Sequence, residues 1–191
     1  FSNENLIKFK NNYLIINIIK KIVSEEYLSK ASILDFGCGH GNITLGLSYH
    51  CTKVTGFDIS GKMLDYSKNL CQRLLKLDNN FKEKKVTFVS KLFHNNLKFN
   101  IIIAVNSIHF LNKVNLEKTL KTFKHILEEN GYIIIIEPTK KSRFSFLKKD
   151  KEKEKLQFKL KQLKKTKKNL NELLKNVKII EFQDKEIYII K

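Results

Sequence analysis

The chain has 191 residues, of which 42% are hydrophobic, and its formal net charge is +18. This length suits one domain with one core, and no apolar run reaches the roughly 20 residues that span a bilayer, which argues against a membrane-spanning protein. The three cysteines, Cys38, Cys51 and Cys71, form no close pairs and no Cys-x-x-Cys motif. Their spacing argues against a disulfide framework and a cysteine metal site, and it favours a cytoplasmic location.

The periodicity of apolar residues predicts helices and strands in alternation. An amphipathic helix is predicted over residues 3–29, then a short buried strand in ASILDFG and a helix in NITLGLSYH. A second strand is predicted over Lys53–Asp58, followed by a helix that Ser60 caps. Two strands, KVTFVS and NIIIAVNS, precede a helix in NLEKTLKTFKHILEENG, which we expect to end at Gly131. A fifth strand, YIIIIEP, stops at Pro138, the only proline.

Residues 139–175 concentrate the positive charge. Fourteen lysines and Arg143 stand against four acidic residues, which gives +11 of the total +18. Such a segment can attract RNA or an acidic partner. Leucines also recur in it at helical spacing, and few aromatic residues interrupt it, so the lysines equally fit the solvated face of a long helix. The solvated helix is the favoured interpretation, and the binding segment stays the alternative.

The chain closes with VKIIEFQDKEIYIIK, which predicts two strands about a turn near residues 183–185. Buried apolar strands that alternate with helices form a mainly parallel sheet covered on both faces. We therefore predict one α/β domain over residues 1–191, with a doubly wound, mainly parallel seven-stranded sheet and an antiparallel C-terminal hairpin strand. Residues 31–191 would form its core, and the helical segment 1–29 would cover the site.

A glycine-rich loop follows the first strand in LDFGCGHG. Gly37, Gly39 and Gly41 alternate there, and Asp35 precedes them by two residues. Ligands of parallel sheets bind beyond the carboxyl ends of strands, and glycine lets the backbone approach a ligand with positive φ. A dinucleotide loop would need glycine where Asn42 stands, and a nucleoside-triphosphate loop would need a lysine after the glycines. The spacing therefore indicates another kind of ligand.

The segments LDFGCGHG and VTGFDISGKMLDYSK resemble the class I S-adenosylmethionine-dependent methyltransferases, particularly their small UbiE-like and type 11 members. Asp35 and the three glycines fill the family's first motif, and Asp58 takes the acidic position at the end of the second strand. LEENGYIIIIEP resembles the turn into the fifth strand, with Asn130 in place of a glycine, and the closing hairpin matches the antiparallel seventh strand. The resemblance covers residues 31–191 and implies a Rossmann-like fold with S-adenosylmethionine as cofactor.

The resemblance implies that ten residues contact the cofactor: Asp35, Gly37, Cys38, Gly39, Gly41, Asp58, Ile59, Met63, Ser90 and Asn106. Asp58 would accept hydrogen bonds from the ribose hydroxyls, and Asp35 would orient the ammonium of the methionine tail. Ile59 and Met63 would line the adenine, and Asn106 would line the methyl region. The alternatives are strand-end solvation or helix capping for the aspartates, and core packing for Met63.

Two of these residues, Ser90 and Cys38, each have more than one interpretation. Where the family often has an acid for the adenine amino group, this chain has Ser90 and Lys91; Ser90 or backbone groups would then recognise adenine. Cys38 points either into the sheet or at the ligand, and the small buried residue is the favoured alternative.

His109 follows the fourth strand in VNSIHFL. A methyltransferase aligns the nucleophile and, for a hydroxyl or ammonium acceptor, removes a proton. Histidine suits that base because it titrates near neutral pH, but a histidine packed at a helix start is the favoured alternative. No carboxylate cluster matches the magnesium site of some relatives, so we expect no metal.

Three functions follow. The favoured one is a small, metal-independent methyltransferase with a small-molecule acceptor, because the chain has hardly any insertions for substrate recognition. The second is an RNA or protein methyltransferase that uses residues 139–175. The third is a non-catalytic, methyltransferase-like binding module.

Overall fold

The computed structural model of the chain describes residues 13–92, 97–138, 164–165, 168–170, 178–182 and 185–191. The helices are α1 (Tyr13–Ile22), α2 (Glu25–Lys30), α3 (Asn42–Leu47), α4 (Gly61–Leu77) and α5 (Lys113–Ile126). The strands are β1 (Ser32–Phe36), β2 (Lys53–Phe57), β3 (Val86–Val89), β4 (Phe99–Val105), β5 (Leu127–Pro138), β6 (Lys178–Phe182) and β7 (Lys185–Ile190). Short 3-10 helices cover Glu83–Lys85 and Ile108–Phe110.

The strands form one seven-stranded sheet in the order β3-β2-β1-β4-β5-β7-β6. The pairs from β3 to β5 are all parallel, whereas β7 is antiparallel to both β5 and β6. The prediction of a mainly parallel, doubly wound sheet with an antiparallel C-terminal hairpin strand is confirmed. The order reverses between β1 and β4, and ligands of open parallel sheets bind beyond such a point.

The central strands are buried on both faces. Ile101 and Ile103 of β4 pack in a cluster with α1 and α2, while Ile102 and Ala104 pack in another with α5. This alternation follows from the two-residue period of a strand. It explains why β4, apart from Asn100, and residues 132–136 of β5 are apolar, since neither face of a covered parallel sheet meets water.

The prediction of one helix over residues 3–29 is wrong for its described part, and residues 1–12 lie outside the description. Residues 13–30 form two helices that separate near Ser24. Ser24 has an extended backbone, and its side chain accepts a hydrogen bond from the Tyr27 backbone N–H. A serine in this conformation caps a new helix, so it interrupts the apolar periodicity that suggested one helix. The role of residues 1–29 as a cover stays a prediction.

The helix predicted to end at Gly131 ends instead at Ile126. Leu127 already pairs with Phe99 of β4, and the register shifts before Ile101 pairs with Tyr132. A Cβ on Gly131 would lie 2.8 Å from the Leu127 side chain. Gly131 therefore lies at a closely packed point of an irregular strand, and it does not end the helix.

The remaining helix boundaries follow the sequence closely. Ser60 caps α4 by accepting a hydrogen bond from the Met63 backbone N–H, as predicted. The predicted lysine-rich helix lies almost entirely outside the described residues. In that segment the structure describes residues 164–165 and 168–170, and these are helical. In the part of the chain that the structure describes, no helix combines the length and apolar character needed to cross a membrane.

Candidate functional site

The glycine loop leaves the carboxyl end of β1 at the point where the strand order reverses. Gly37, Gly39 and Gly41 have φ of +73°, +53° and +76°. Two of them are also closely packed, because a Cβ would lie 2.5 Å from the Ser107 Cβ at Gly37 and 2.9 Å from the Ser67 Cβ at Gly41. The alternating glycines are therefore required by the backbone conformation and, at two positions, by lack of space.

A matched pair of substitutions separates these two requirements. Gly37→Ala and Gly39→Ala both place a side chain at positive φ, but nothing lies within 4 Å of a Cβ on Gly39. We expect Gly37→Ala to lower the free energy of unfolding by about 1 to 3 kcal/mol more than Gly39→Ala, since the overlap is with a Cβ that cannot rotate away. Urea unfolding measures the difference, and equal losses would contradict the packing argument.

Asp58 lies directly after β2 and holds the middle of the loop. Its Oδ2 accepts a hydrogen bond from the Gly39 backbone N–H at 2.9 Å, and its Oδ1 accepts one from the Ser60 backbone N–H at 2.8 Å. A carboxylate offers about four acceptor positions, so two remain for further donors. Asp58 therefore both orders the loop and can receive a pair of hydroxyl groups.

Asp35 is buried, at 2% exposure, and its Oδ2 accepts a hydrogen bond from the Thr44 hydroxyl at 2.6 Å. Burial raises the pKa of Asp35 to about 6, the Thr44 hydrogen bonds oppose this, and the nearby Asp58 charge adds to it. A carboxylate kept in such surroundings favours a cationic partner. Thr44 was not predicted, although it stands at a position of α3 that faces back towards β1.

This raised pKa makes stability depend on pH in a definite direction. The folded protein binds the Asp35 proton more tightly than an unfolded chain with a pKa near 3.8, so the contribution of Asp35 to stability decreases as pH rises from about 4 to 6. We expect up to about 1.4 kcal/mol per pH unit from this group in that window. Asp35→Asn keeps an acceptor for Thr44 and should remove this slope. Melting temperatures of both proteins between pH 4 and 7 test this, and parallel profiles would contradict it.

The other predicted contacts occupy the ends of neighbouring strands. Ile59, directly after Asp58, is 89% exposed, while Met63 on α4 is half-buried. Ser90, after β3, is exposed, and so is Asn106, after β4, which has a positive φ of 52°. Because parallel strands end at one edge of the sheet, these four residues share the edge that carries the glycine loop.

Cys38 is half-buried and faces the sheet, whereas the favoured expectation was a small buried residue. Its Sγ lies 3.0 Å from the position of a Cβ on Gly56 in β2, so the thiol points at the sheet. Burial raises the pKa of this thiol well above its usual range. Its contact with a ligand would therefore involve the backbone.

Two serines that were not predicted as site residues form hydrogen bonds to backbone carbonyls in and beside the glycine loop. Ser67 of α4 is fully buried, and its Oγ lies 2.9 Å from the carbonyl oxygens of Gly39 and Met63. Ser107 donates a hydrogen bond to the Phe36 carbonyl at 2.9 Å. Ser67 could have been found from the sequence, because it is a polar residue one helical turn after Met63, on the buried face of α4.

His109 forms a buried pair with Glu137, a residue that the sequence analysis did not assign. His109 Nδ1 and Glu137 Oε2 lie 2.6 Å apart, and each residue is 3% exposed. The other carboxylate oxygen, Oε1, accepts a hydrogen bond from the Ile108 backbone N–H at 3.0 Å. Glu137 therefore holds the turn after β4 against the end of β5, beside the exposed Asn106.

Within the described ranges, no group of three or more histidine, cysteine, aspartate or glutamate side chains is arranged to hold a metal ion. The site is instead a loop of backbone amides with two aspartates and a histidine–glutamate pair around it.

Comparisons with known proteins agree with this arrangement. The methyltransferase domain family matches residues 10–180. No curated protein matches the chain. Among solved structures, the plantazolicin methyltransferase BamL, in complex with a desmethyl-plantazolicin analogue and SAH, is 17% identical, with a TM-score of 0.66 over 90% of this chain and 65% of that chain.

Two further structures have the same fold. Magnesium protoporphyrin IX methyltransferase from Synechocystis PCC 6803, with bound SAM, is 16% identical, with a TM-score of 0.59 over 96% of this chain and 80% of that one. An S-adenosylmethionine-dependent methyltransferase from Clostridium acetobutylicum ATCC 824 is 22% identical, with a TM-score of 0.52 over 72% of this chain and 58% of that one. The chain thus spans less than two thirds of the length of the Clostridium and plantazolicin enzymes. The chain belongs to the methyltransferase domain family, and its fold is that of the class I S-adenosylmethionine-dependent methyltransferases.

Proposed function

We propose that this chain transfers a methyl group from S-adenosylmethionine to a small-molecule acceptor without a metal. The observation that carries the proposal is Asp58, whose two oxygens are fixed by the Gly39 and Ser60 backbone amides and still offer acceptor positions. A ribose diol supplies the two hydroxyl donors that such a carboxylate accepts.

The other residues at this edge suit the remaining parts of the cofactor. The buried carboxylate of Asp35 would hold the ammonium of the methionine tail, and the Gly37–Gly41 backbone would lie along that tail. Ile59 presents an exposed apolar side chain that adenine would cover, with Met63 beside it. Ser90 or backbone groups near it would meet the adenine edge, and Asn106 would line the methyl end. When bound, the cofactor supplies a methyl group on an activated sulfonium.

We propose His109 as the general base for a hydroxyl or ammonium acceptor, with Glu137 as its positioning residue. The Glu137 carboxylate holds His109 Nδ1 at 2.6 Å, which favours the tautomer with the proton on Nδ1 and directs Nε2 as the basic nitrogen. The same carboxylate restrains the turn that carries His109 through the Ile108 amide. A base restrained in this way loses little entropy when the acceptor binds.

A small acceptor is favoured by the short connections at the described carboxyl edge. The loops after β1 and β2 contain five and three residues before the next helices begin, which leaves little surface for a macromolecule. The substrates named for the structural relatives are diverse, a porphyrin and a peptide natural product, so the fold alone leaves the acceptor open. The three cysteines are free thiols, which supports a cytoplasmic location.

The test is formation of S-adenosylhomocysteine from S-adenosylmethionine in the presence of a panel of small alcohols, phenols and amines. We expect turnover with a member of the panel, and His109→Gln should reduce kcat tenfold or more with little change in cofactor affinity. Cofactor binding without turnover on any small acceptor would contradict the proposed acceptor class. Lack of calorimetric heat and of a thermal shift with S-adenosylmethionine would instead favour the non-catalytic module.

An RNA or protein acceptor is the second candidate, because residues 139–175 carry a net charge of +11. In that case RNA would bind with strong salt dependence, and replacing Lys164, Lys165, Lys167 and Lys168 by glutamine would abolish binding. Absence of RNA binding at low salt would exclude the RNA version of this candidate.

A further inference from the structure

A cleft opens at the edge of the sheet opposite to the glycine loop. Its volume is about 280 Å³, and its walls come from α1, α2 and the segments that precede β2 and β3. All of these elements meet at the amino ends of the strands. The five residues of β1 separate this amino-edge cleft from the glycine loop by roughly 16 Å, so it is not part of the methyltransferase site.

The cleft has an excess of positive charge. Lys20 from α1 and Lys85 from before β3 both line it, and Glu25 is the single carboxylate among its lining residues. Lys20 Nζ lies 2.7 Å from the Glu25 carboxylate. Their hydrogen bond and charge attraction, with a smaller contribution from His50, hold the pKa of Glu25 below its usual range, so this carboxylate stays ionised. Glu25 therefore balances one of the two lysines and leaves the other uncompensated.

Lys85 is the uncompensated cation. Its Nζ donates a hydrogen bond to the Cys51 carbonyl at 3.2 Å, and both residues line the cleft. Within the described part of the chain, no carboxylate forms an ion pair with Lys85. An ammonium has three N–H donors, and the described contacts use one on Lys85 and one on Lys20. Two chain segments thus supply cationic donors to one cleft.

The rest of the lining adds little apolar surface. Leu28 and Cys51 are 1% and 2% exposed, and the half-buried Tyr49 donates a hydrogen bond from its hydroxyl to Asp78 at 2.7 Å. The volume is just below the roughly 300 to 1,000 Å³ of typical small-molecule sites, so the cleft suits a small occupant.

We propose that the amino-edge cleft binds a phosphate group, either as inorganic phosphate or as part of a small phosphorylated molecule. An anion is favoured because two lysines line the space against one carboxylate, and lysine binds phosphate as a compact point charge. The site is independent of the glycine loop, so this proposal does not rest on methyl transfer.

Isothermal titration of the whole protein with inorganic phosphate tests the proposal, with sodium chloride matching the ionic strength throughout. We expect saturable binding, weakened at least tenfold in Lys85→Gln. Glu25→Gln removes the carboxylate that competes for Lys20, so it should strengthen binding about threefold. Glu25 is 76% exposed, so this variant tests the site even if Lys85→Gln folds poorly.

Lys121→Gln is the matched control, because it removes the same charge from an exposed position on α5, on the other face of the sheet. Phosphate also stabilises proteins in general by exclusion from their surfaces, and that effect would be equal in all variants. Titration with glycerol phosphate distinguishes the sources: tighter binding than inorganic phosphate indicates an organic ester, and equal binding indicates the free ion. Non-saturable heats, or equal affinities for wild type, Lys85→Gln and Lys121→Gln, would overturn the proposal.

Discussion

Asp58→Ala should lower the affinity of this protein for S-adenosylmethionine at least about a hundredfold. Two hydrogen bonds from hydroxyls to a carboxylate, at about 1.5 kcal/mol or more each, account for this factor, since 1.4 kcal/mol is tenfold. The substitution also removes the acceptor of the Gly39 amide, so the loop that should receive the methionine tail loses its central restraint. Calorimetric titration of wild type and variant with the cofactor measures the ratio.

Asp65→Ala is the control for charge, because Asp65 is exposed on α4, outside the loop. We expect it to bind the cofactor as wild type does. Asp58→Asn should fall between the two, since its single carbonyl oxygen can replace only part of the carboxylate. An Asp58→Ala variant that binds within threefold of wild type would show that the ribose assignment is wrong.

Glu137→Ala should lower the free energy of unfolding by about 3 to 5 kcal/mol, the usual loss when one partner of a buried pair is removed. Two donors lose their acceptor at once, the Ile108 amide and His109 Nδ1, and both residues are buried. Urea unfolding at neutral pH measures the loss.

Two further variants serve as controls for the stability loss of Glu137→Ala. Glu128→Ala changes an exposed glutamate of the same strand and should remain within about 0.5 kcal/mol of wild type. Glu137→Gln keeps an acceptor for Ile108 and should recover about half of the loss. A Glu137→Ala variant less than 1 kcal/mol below wild type would mean that the pair does not hold the turn.

The sheet could be predicted from the sequence because its signals are local. An apolar run such as YIIIIEP indicates a strand that is buried on both faces, and the alternating glycines indicate a loop with positive φ. Asp58 was identified through the family resemblance, in which an acidic residue ends the second strand. The antiparallel seventh strand was expected from the family resemblance, whereas the order of the strands was not predicted and is known from the structure.

The parts that were missed depend on contacts between distant residues. Glu137 and His109 are 28 residues apart, and only the pairing of β4 with β5 brings their side chains together. The strand start at Leu127 depends likewise on Phe99, whereas the local periodicity there is helical. Ser24 is a local signal for the start of a helix, since serine is a common N-cap. The prediction missed this break because it followed the apolar periodicity, which continues across Ser24.

A crystal structure of the protein with S-adenosylhomocysteine is the decisive test of the proposed cofactor site. We expect both ribose hydroxyls within hydrogen-bond distance of Asp58, the tail along Gly37–Gly41 with its ammonium towards Asp35, and adenine against Ile59. Cofactor bound elsewhere on the chain, or bound at this edge without a contact to Asp58, would contradict it.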